Sequence, residues 1–381
     1  MIRIEDKSRC CGCEACTNRC PLHCITMIKD NEGFLYPKVD TEKCVGCGEC
    51  ERICPVLQQG KERTPIYAFA SYNKCLSIRK NSSSGGVFTQ LAEYTIKQNG
   101  VVFGAMFDSL CHVYHGFVDN IEDLSRLRGS KYVQSRIGES YREAKHFLKD
   151  DRQVLFSGTP CQIAGLKRFL GKEYENLLTV DVACHGVPSP GIWKLYLNEL
   201  SNQFLPGSSV KEVNFRDKSN GWKNYSIRIV FAKDDKEFVY TVPFYRDWYL
   251  MSFLKNLVLR PSCSSCQMRN GKSGSDLTVG DLWGVETICP ELDDELGTSV
   301  VLVNTLKGNS IVKEINCVLK EVDYSLICDN NPCFIKSFPP HPLRDHFFYW
   351  KQRSKRVIPS MKLTLDNGFY MRLKRWLILK R

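Results

Sequence analysis

The sequence lacks long apolar runs: no stretch approaches the roughly 20 consecutive apolar residues that a membrane-spanning helix needs. The start, MIRIEDKSRC, has no basic region followed by an apolar core, so a secretory signal is not predicted. A G-x-G-x-x-G segment after a predicted strand is also missing, which disfavours a Rossmann dinucleotide site. We therefore expect a cytoplasmic protein that binds its cofactors by other means.

Cysteine, by contrast, is abundant, with 20 among 381 residues. A chain of this length can bury two or three cores without disulfide staples. Because the cytoplasm keeps thiols reduced, regularly spaced cysteines indicate metal ligation or redox chemistry. Iron and sulfide are the expected partners of these thiols.

The front of the chain carries a tandem cysteine repeat. The pattern C-x2-C-x2-C-x3-C-P begins at Cys10 and again, 34 residues later, at Cys44. At this spacing three cysteines of a run hold one four-iron cluster, while the fourth reaches across to the other cluster. The predicted ligands of cluster one are Cys10, Cys13, Cys16 and Cys54, and those of cluster two are Cys20, Cys44, Cys47 and Cys50.

Two further cysteines of this segment, Cys11 and Cys24, are out of register with the repeat. We interpret them as small buried residues, with a ligand or redox role as the alternative. Eight cysteines in a double register disfavour zinc, and residues 25–40 alternate around an Asn-Glu-Gly turn as a hairpin covering the clusters. The segment resembles a bacterial-type ferredoxin with two 4Fe-4S clusters.

The rest of the chain alternates predicted helices and strands after a polar linker at residues 58–63. Helix 86–98 precedes the strand VVFGAMF, and VLFSG, CQIAGLKRFL and LLTVDVA continue the alternation, which is typical of a partly parallel sheet. From about residue 210 alternating strands take over, so we predict a mixed α/β, or α+β, fold. The predicted divisions are 1–60, 61–150, 151–345 and 346–381.

Two strand-to-helix junctions offer backbone N–H groups to an anion. SSSGG, residues 82–86, places serine hydroxyls and glycines at a helix start, and SGTPCQ, residues 157–162, is a junction of the same kind. The plain alternative at SSSGG is a serine N-cap with a flexible lead-in.

A second cysteine set is dispersed along the body. Cys161 and Cys184 each follow a predicted strand, and Cys263 with Cys266 forms CSSC. Neighbouring strand ends and a C-x2-C loop bring four sulfurs together, which suits either another 4Fe-4S cluster or a structural zinc. The cysteines without ligand spacing are interpreted as structural: Cys75, Cys111, Cys289, Cys317, Cys328 and Cys333.

Seven ordered segments carry a family resemblance over roughly residues 65–345: SSSGGVFTQL, RGSKYVQS, FSGTPCQIAGL, DVACHG, FRDKSNGW, RPSCSSCQMR and SDLTVGDLWG. The chain resembles the coenzyme F-420 hydrogenase/dehydrogenase beta-subunit family, in which a ferredoxin front is a common bacterial fusion. The resemblance implies a flavin-binding domain in which FAD exchanges a hydride with a coenzyme or substrate and single electrons with iron-sulfur clusters.

Carried over by residue, the resemblance implies a third 4Fe-4S cluster on Cys161, Cys184, Cys263 and Cys266. It also implies flavin contacts, near the phosphates or the hydride acceptor, from Ser83, Ser84, Gly85, Gly86 and Lys131. Asp276 and Asp281 match family acids, for which capping and turn formation are the alternative roles.

The leading hypothesis is an iron-sulfur flavoprotein oxidoreductase that passes electrons between its clusters and coenzyme F-420, or another small hydride acceptor or donor. The alternative is an electron-transfer subunit that wires a partner enzyme without acceptor chemistry of its own. Expected partners are a redox protein, either ferredoxin or an oxidoreductase subunit, and the small-molecule acceptor. The motifs assign no catalytic acid or base.

The formal charge of +11 is concentrated in the tail, since ten basic residues lie between Lys351 and Arg381. Apolar residues of the tail share one helical face beside basic ones: Phe369, Leu373, Trp376 and Leu377. Such a helix suits peripheral membrane contact or partner docking, and packing on its own domain is the alternative. Nucleic-acid binding is disfavoured because the basic and aromatic residues interleave only there.

Overall fold

The computed structural model describes residues 1–354 and 356–366. Its strands are β1 (Ile25–Lys29), β2 (Leu35–Val39), β3 (Tyr67–Asn73), β4 (Val101–Phe107), β5 (Val113–Val118), β6 (Val154–Gly158), β7 (Leu177–Val182), β8 (Ser209–Asp217), β9 (Ser226–Lys233), β10 (Lys236–Pro243), β11 (Leu277–Asp281), β12 (Ser299–Val303) and β13 (Cys317–Glu321).

The α-helices of the described residues are α1 (Ala15–Arg19), α2 (Glu49–Arg52), α3 (Leu76–Lys80), α4 (Val87–Lys97), α5 (Ser140–Lys149), α6 (Pro160–Leu170), α7 (Pro190–Phe204), α8 (Trp248–Leu254), α9 (Val285–Ile288), α10 (Leu306–Glu314), α11 (Tyr324–Asn330), α12 (Arg344–Ser354) and α13 (Val357–Leu365). Short 3-10 turns lie at Lys7–Arg9, Glu122–Arg126, Pro261–Ser265, Pro290–Leu292 and Pro332–Phe334.

An eight-stranded mixed sheet organises the body, in the order β13-β3-β12-β11-β7-β6-β4-β5. The pairs β4·β6, β6·β7 and β7·β11 are parallel, whereas the outer pairs are antiparallel. Helices α5 and α6 return the chain to the same edge before β6 and β7, which is how parallel neighbours arise. The prediction of a mixed α/β body with a partly parallel sheet is confirmed.

A smaller antiparallel sheet, β10-β9-β8, follows in the second half of the body. Its apolar residues join a core with helices α7, α8, α12 and α13, in which Trp193, Tyr249 and Phe347 are fully buried. The predicted strands YSIRIVF and EFVYTV correspond to β9 and β10.

The predicted hairpin at the front of the chain is β1 paired antiparallel with β2. Its turn packs tightly on the body: Gly33, at φ +92°, lies so close to the start of α7 that an added Cβ would be 2.6 Å from the Cα of Gly191. The carboxylate of Glu32 accepts two hydrogen bonds from the buried Arg344 guanidinium. These contacts fix the N-terminal domain against the body.

The predicted tail begins in well-packed structure. Phe348, Val357 and Met361 of α12 and α13 are buried in the same core as α7 and α8. The residues of the predicted amphipathic face, Phe369, Leu373, Trp376 and Leu377, lie outside the described residues. No helix within residues 1–354 and 356–366 is both long and apolar enough to cross a membrane.

One buried carboxylate lies in the parallel part of the sheet. Asp181, at the end of β7, is 3% exposed, and its Oδ2 accepts a hydrogen bond from Ser273 at 2.5 Å. Its Oδ1 has no hydrogen-bond partner among the described residues. Burial raises the pKa of this carboxyl to about 6.

Replacing Asp181 by asparagine is therefore expected to stabilise the fold, and more so at pH 8 than at pH 5. The unfolded carboxyl titrates near pH 4, so the folded state binds the proton more tightly and the free energy of unfolding falls as pH rises from about 4 to about 6. At ~1.36 kcal/mol per pKa unit, the cost above pH 6 is about 2–3 kcal/mol. Unfolding midpoints of both proteins, measured anaerobically, test this; an equal gain at the two pH values would contradict it.

Candidate cluster and cofactor sites

The first four predicted ligands surround one small cavity. Its wall contains the predicted cluster-one cysteines and the supernumerary Cys11: Cys10, Cys11, Cys13, Cys16 and Cys54. Three of the predicted ligands come from the first run and the fourth from the second run, which is the crossed arrangement that the spacing predicts. Met27 and Pro37 of the hairpin close one side of the cavity.

The second predicted set surrounds a separate cavity. Its wall contains Cys20, Cys24, Cys44, Cys47 and Cys50. The Sγ atom of Cys24 lies 3.3 Å from the Sγ of Cys20, so this extra thiol contacts a predicted ligand. Cys47 is exposed, whereas the predicted cluster-one ligands are buried or half-buried.

Local backbone geometry explains why the short repeats fold into these cradles. Gly12, Gly46 and Gly48 all have positive φ, near +70°, where a side chain would be strained. Gly12 also lacks room, since an added Cβ would lie 2.7 Å from Gln134 and 2.8 Å from Arg260. Helices α1 and α2 begin at residues in the left-handed conformation, so each run turns sharply before its next cysteine.

The dispersed cysteines meet where β6 and β7 end. Cys161 lies in the first turn of α6, Cys184 follows β7, and Cys263 and Cys266 belong to the 3-10 turn and its end. Burial raises the pKa of the Cys184 thiol well above its usual range, and the nearby thiols of Cys263, Cys161 and Cys266 act in the same direction. The backbone N–H of Val187 donates to the Sγ of Cys263 at 3.4 Å. The four thiols thus lie in one region of the body.

In the described part of the chain, no group of three or more His, Cys, Asp or Glu side chains is positioned to hold a metal ion. A four-iron cluster requires a different arrangement, because each thiolate binds a different iron atom and the sulfurs stand further apart than around one ion.

Cys11 connects the front of the chain to this dispersed set. The pKa of the Cys161 thiol is raised well above its usual range, and a hydrogen bond with Cys11 contributes most to this rise, with burial second. Helix α6 lies directly on the first cysteine run, since an added Cβ on Gly165 would be 3.2 Å from the Sγ of Cys13. The cluster-one cradle and the dispersed set are therefore immediate neighbours.

A larger cavity of about 470 Å³ opens beside the dispersed cysteines. Cys161 and Cys184 form part of its wall. Of the predicted flavin contacts, the wall includes Ser83, Ser84, Gly86 and Lys131. Gly85 lies behind the wall, where its N–H donates to Ser299 and an added Cβ would be 2.5 Å from the carbonyl oxygen of Ser71. His185 also lines the cavity and hydrogen-bonds Asn256.

The SSSGG loop is not a serine N-cap. Helix α4 begins after Gly86, at φ +85°, without a side-chain cap. The hydroxyl of Ser84 donates to Thr298, while that of Ser83 accepts from the N–H of Ser130. The loop is held from behind by Lys218, whose Nζ donates to the carbonyl oxygen of Ser84 at 2.7 Å.

Lys131 is a partly buried lysine in the wall of the cavity. Its Nζ donates to the carbonyl oxygens of residues 126, 127 and 128 at 3.1, 3.0 and 2.8 Å. Desolvation lowers the pKa of its ammonium to about 7. The three N–H groups of this ammonium already have backbone acceptors, so at neutral pH Lys131 offers a ligand positive charge and no free hydrogen-bond donor.

Two family acids behave differently. Asp276 is buried away from the cavity and accepts hydrogen bonds from the backbone N–H and hydroxyl of Thr179, which is a structural role. Asp281 lines the cavity and forms a 2.6 Å salt bridge with the buried Arg216. No role was assigned to Arg216 from the sequence, although the segment FRDKSNGW contains it; its place in that segment was the available signal.

Arg216 carries unused hydrogen-bonding capacity. Its Nη1 contacts Asp281 and Tyr132, but its Nε and Nη2 have no hydrogen-bond partner among the described residues. The guanidinium lies 4.1 Å from the ring centroid of Tyr225 and 5.5 Å from that of Trp283, both in the cavity wall. A buried donor without an acceptor is costly, so these N–H groups suit an oxygen of a bound ligand.

Comparison with known proteins agrees with the predicted resemblance. Residues 151–322 match the family of the C-terminal region of the coenzyme F-420 hydrogenase/dehydrogenase beta subunit, and residues 9–57 match the 4Fe-4S dicluster domain. No curated protein matches this chain. A chain in a structure of the F-420-reducing NiFe hydrogenase complex from Methanosarcina barkeri is 17% identical, with a TM-score of 0.45, covering 79% of this chain and 91% of that chain. The two family matches confirm the predicted resemblance, over residues 151–322 for the beta-subunit family and over residues 9–57 for the dicluster domain.

Proposed function

We propose that this chain, which joins a 4Fe-4S dicluster domain to the C-terminal domain of the coenzyme F-420 hydrogenase/dehydrogenase beta-subunit family, is an iron-sulfur flavoprotein oxidoreductase. It exchanges single electrons with a redox partner and a hydride with a small molecule, coenzyme F-420 or another acceptor. Three 4Fe-4S clusters and one FAD are its proposed cofactors, with the cysteines named above as cluster ligands.

One observation carries the proposal: a single cavity is bordered both by two cysteines of the dispersed set and by four of the five predicted flavin contacts. Its volume of about 470 Å³ falls within the range of roughly 300–1,000 Å³ typical of small-molecule and cofactor sites. A cofactor in this cavity would therefore lie next to the third cluster. A bound flavin would supply the exchange between paired and single electrons that neither side chains nor clusters provide.

The cavity wall contains both polar groups and aromatic side chains that suit a flavin. Backbone N–H groups of the SSSGG loop and the Nε and Nη2 of Arg216 would donate to phosphate or ring oxygens, and Lys131 and Arg216 would add positive charge. Aromatic side chains in the wall suit a planar ring: Tyr132, Tyr225, Phe253, Trp283 and Phe338. Hydride transfer between two such rings needs orientation and exclusion of water more than an acid or base.

The redox partner would approach the outer cysteine set. Val45 is 74% exposed beside the exposed Cys47. Added Cβ atoms on Gly46 and Gly48 would meet no described atom within 4 Å, so the loop faces open space. The inner set, by contrast, adjoins Cys161 through Cys11. The proposed electron path therefore runs from the outer set through the inner set and the dispersed set to the cavity.

The second candidate function is an electron-transfer subunit that wires a partner enzyme. The exposed outer set favours this function as much as the first, because both need a docking partner. The cavity distinguishes the two functions, since a subunit that only transfers electrons to a partner enzyme does not need a flavin beside its last cluster.

Anaerobic purification of the chain alone, with iron, sulfide, zinc and flavin quantified on one sample, tests the proposal. We expect about twelve irons, since each of three clusters holds four, together with one FAD. Reduction of the flavin by coenzyme F-420 or another hydride carrier would then identify the acceptor. About eight irons with zinc and no flavin would contradict the proposed oxidoreductase and favour the electron-transfer subunit.

A further inference from the structure

Arg260 is a buried guanidinium at the junction of the N-terminal domain and the body. It is 1% exposed and directly precedes the 3-10 turn that carries Cys263. Its side chain points back to the other domain, where it fills the space beside Gly12 in the first cysteine run. The residue therefore contacts both cysteine loops.

The donors of Arg260 are directed at the cluster-one cradle. Its Nε donates to the carbonyl oxygen of Cys10 at 2.7 Å, and its Nη2 lies 3.6 Å from the Sγ of the same cysteine. Nη2 also donates to Leu35 of β2 at 3.0 Å, and Nη1 to Gln134 at 3.0 Å. Gln134 in turn donates to the carbonyl oxygen of Cys11. Every one of these acceptors is a neutral oxygen except the cysteine sulfur.

The charge of Arg260 has no carboxylate partner. No acidic group within residues 1–354 and 356–366 forms a salt bridge with it. Glu14 is the carboxylate within electrostatic reach, but its oxygens accept from the backbone N–H groups of Ile137 and Gly138. The guanidinium lies 4.2 Å from the ring centroid of Tyr36, which offers only a weak countercharge. A buried, unpaired charge is costly, so an anion must balance it.

We propose that Arg260 is the countercharge of the cluster held by Cys10, Cys13, Cys16 and Cys54, and that it raises the reduction potential of this cluster above that of the outer one. The inference rests on the proposed cluster ligands and is independent of the flavin. A cluster with four thiolate ligands is negatively charged and becomes more so on accepting an electron. A fixed cation and an N–H···S contact stabilise the reduced form more than the oxidised one.

The outer cysteine set has no comparable buried cation in the described part of the chain. The N-terminal amine of Met1 is electrostatically coupled to Cys50 and Cys44, but it pairs with Glu51 at 2.9 Å. Arg19, likewise, pairs with Glu49. These two cations near the outer set are therefore each neutralised by a carboxylate, and solvent screens the charges that remain. An electron that enters the N-terminal domain is accordingly more stable at the inner set, beside Cys161, than at the surface.

Arg269 provides a comparison within the same loop. It follows Cys266, is buried, donates to the carbonyl oxygens of Cys184, Cys333 and His185, and forms no salt bridge with any residue that the structure describes. Among the proposed cluster ligands, its hydrogen bonds reach only Cys184 of the dispersed set. Substitution of Arg269 should therefore affect a different cluster from substitution of Arg260. A general loss of structure would instead affect all clusters in both variants.

The test is an anaerobic redox titration with dithionite as the reductant, monitored by electron paramagnetic resonance, on the full chain and on Arg260→Met, Arg260→Lys, Arg269→Met and Arg79→Met. Arg260→Met is expected to lower one midpoint potential by at least a tenfold change in the equilibrium constant, which is about 59 mV for one electron. Arg260→Lys keeps the charge, so its midpoint potential should fall by less than half as much as that of Arg260→Met. Arg79, which is buried and paired with Asp294, is the matched control and should shift no midpoint.

Unchanged midpoints in Arg260→Met with full iron content, or an equal shift in the lysine variant, would overturn the proposal. If Arg260→Met loses one cluster on purification, the lysine variant must restore both the iron and the potential; failure to restore them would also overturn it. A wild-type chain without iron would refute the proposed cluster ligands themselves, which is a separate and recognisable result.

Discussion

Replacing Cys184 by alanine is expected to remove one cluster and leave two, so that iron falls from about twelve to about eight per chain. Cys184 follows β7 and lies among the other thiols of its set, whereas both ferredoxin-type cavities are lined by residues of the N-terminal segment alone. The remaining clusters should still be reduced by dithionite. Electron flow from a reduced partner to the flavin should fall at least 100-fold, because the link nearest the cavity is gone. Iron analysis and stopped-flow reduction of the flavin measure the two effects.

The matched control is Cys289→Ala. Cys289 is fully buried but lines none of the three cavities described above, so this variant should keep its full iron and its rate. Retention of twelve irons in Cys184→Ala, or loss of all iron, would show that the dispersed cysteines do not form an independent site. Zinc in place of the missing iron would point to the structural alternative that the spacing left open.

Replacing Arg216 by methionine is expected to weaken flavin binding at least tenfold. Its Nε and Nη2 have no hydrogen-bond partner among the described residues, and the guanidinium faces the same cavity as Lys131. A hydrogen bond from a charged donor contributes about 1.5–3 kcal/mol, which corresponds to a tenfold or larger change in the dissociation constant. Flavin released from the purified variant, and titration of the apoprotein with FAD, measure the loss.

Arg216→Lys and Lys218→Met serve as its comparisons. The lysine variant keeps the charge but not the second N–H pair, so intermediate affinity is expected. Lys218 holds the loop at Ser84 from behind and does not line the cavity, so its loss should lower stability more than flavin affinity. Full flavin occupancy in Arg216→Met, with a raised KM for the acceptor, would show that Arg216 binds the acceptor and not the flavin. Unchanged flavin affinity and unchanged KM would refute any ligand role.

Local patterns in the sequence were sufficient for much of the architecture. The helix predicted over 86–98 is α4, and the strands predicted at VVFGAMF, VLFSG and LLTVDVA are β4, β6 and β7. Their recognition depends on periodicity within a few residues, which the backbone decides locally. The structure contradicts the serine-cap alternative at residues 82–86: the helix begins after Gly86, and the hydroxyls of Ser83 and Ser84 bond to distant backbone groups.

The sequence by itself determined the doubled cysteine register, because spacing within a short loop dictates which thiols can face one cluster. It could only suggest that Cys161 and Cys184 meet. Their approach depends on β6 and β7 being parallel neighbours, and the closing of the set depends on a turn about 80 residues further along the chain.

Only the tertiary structure decided which charged residues are buried and which remain unpaired. Arg216 and Asp281, and likewise Arg260 and Cys10, are far apart in sequence and meet only after folding. Burial and pairing are properties of the whole packed chain, so no local pattern encodes them, and the electrostatic environment of a cluster or cofactor follows from those properties.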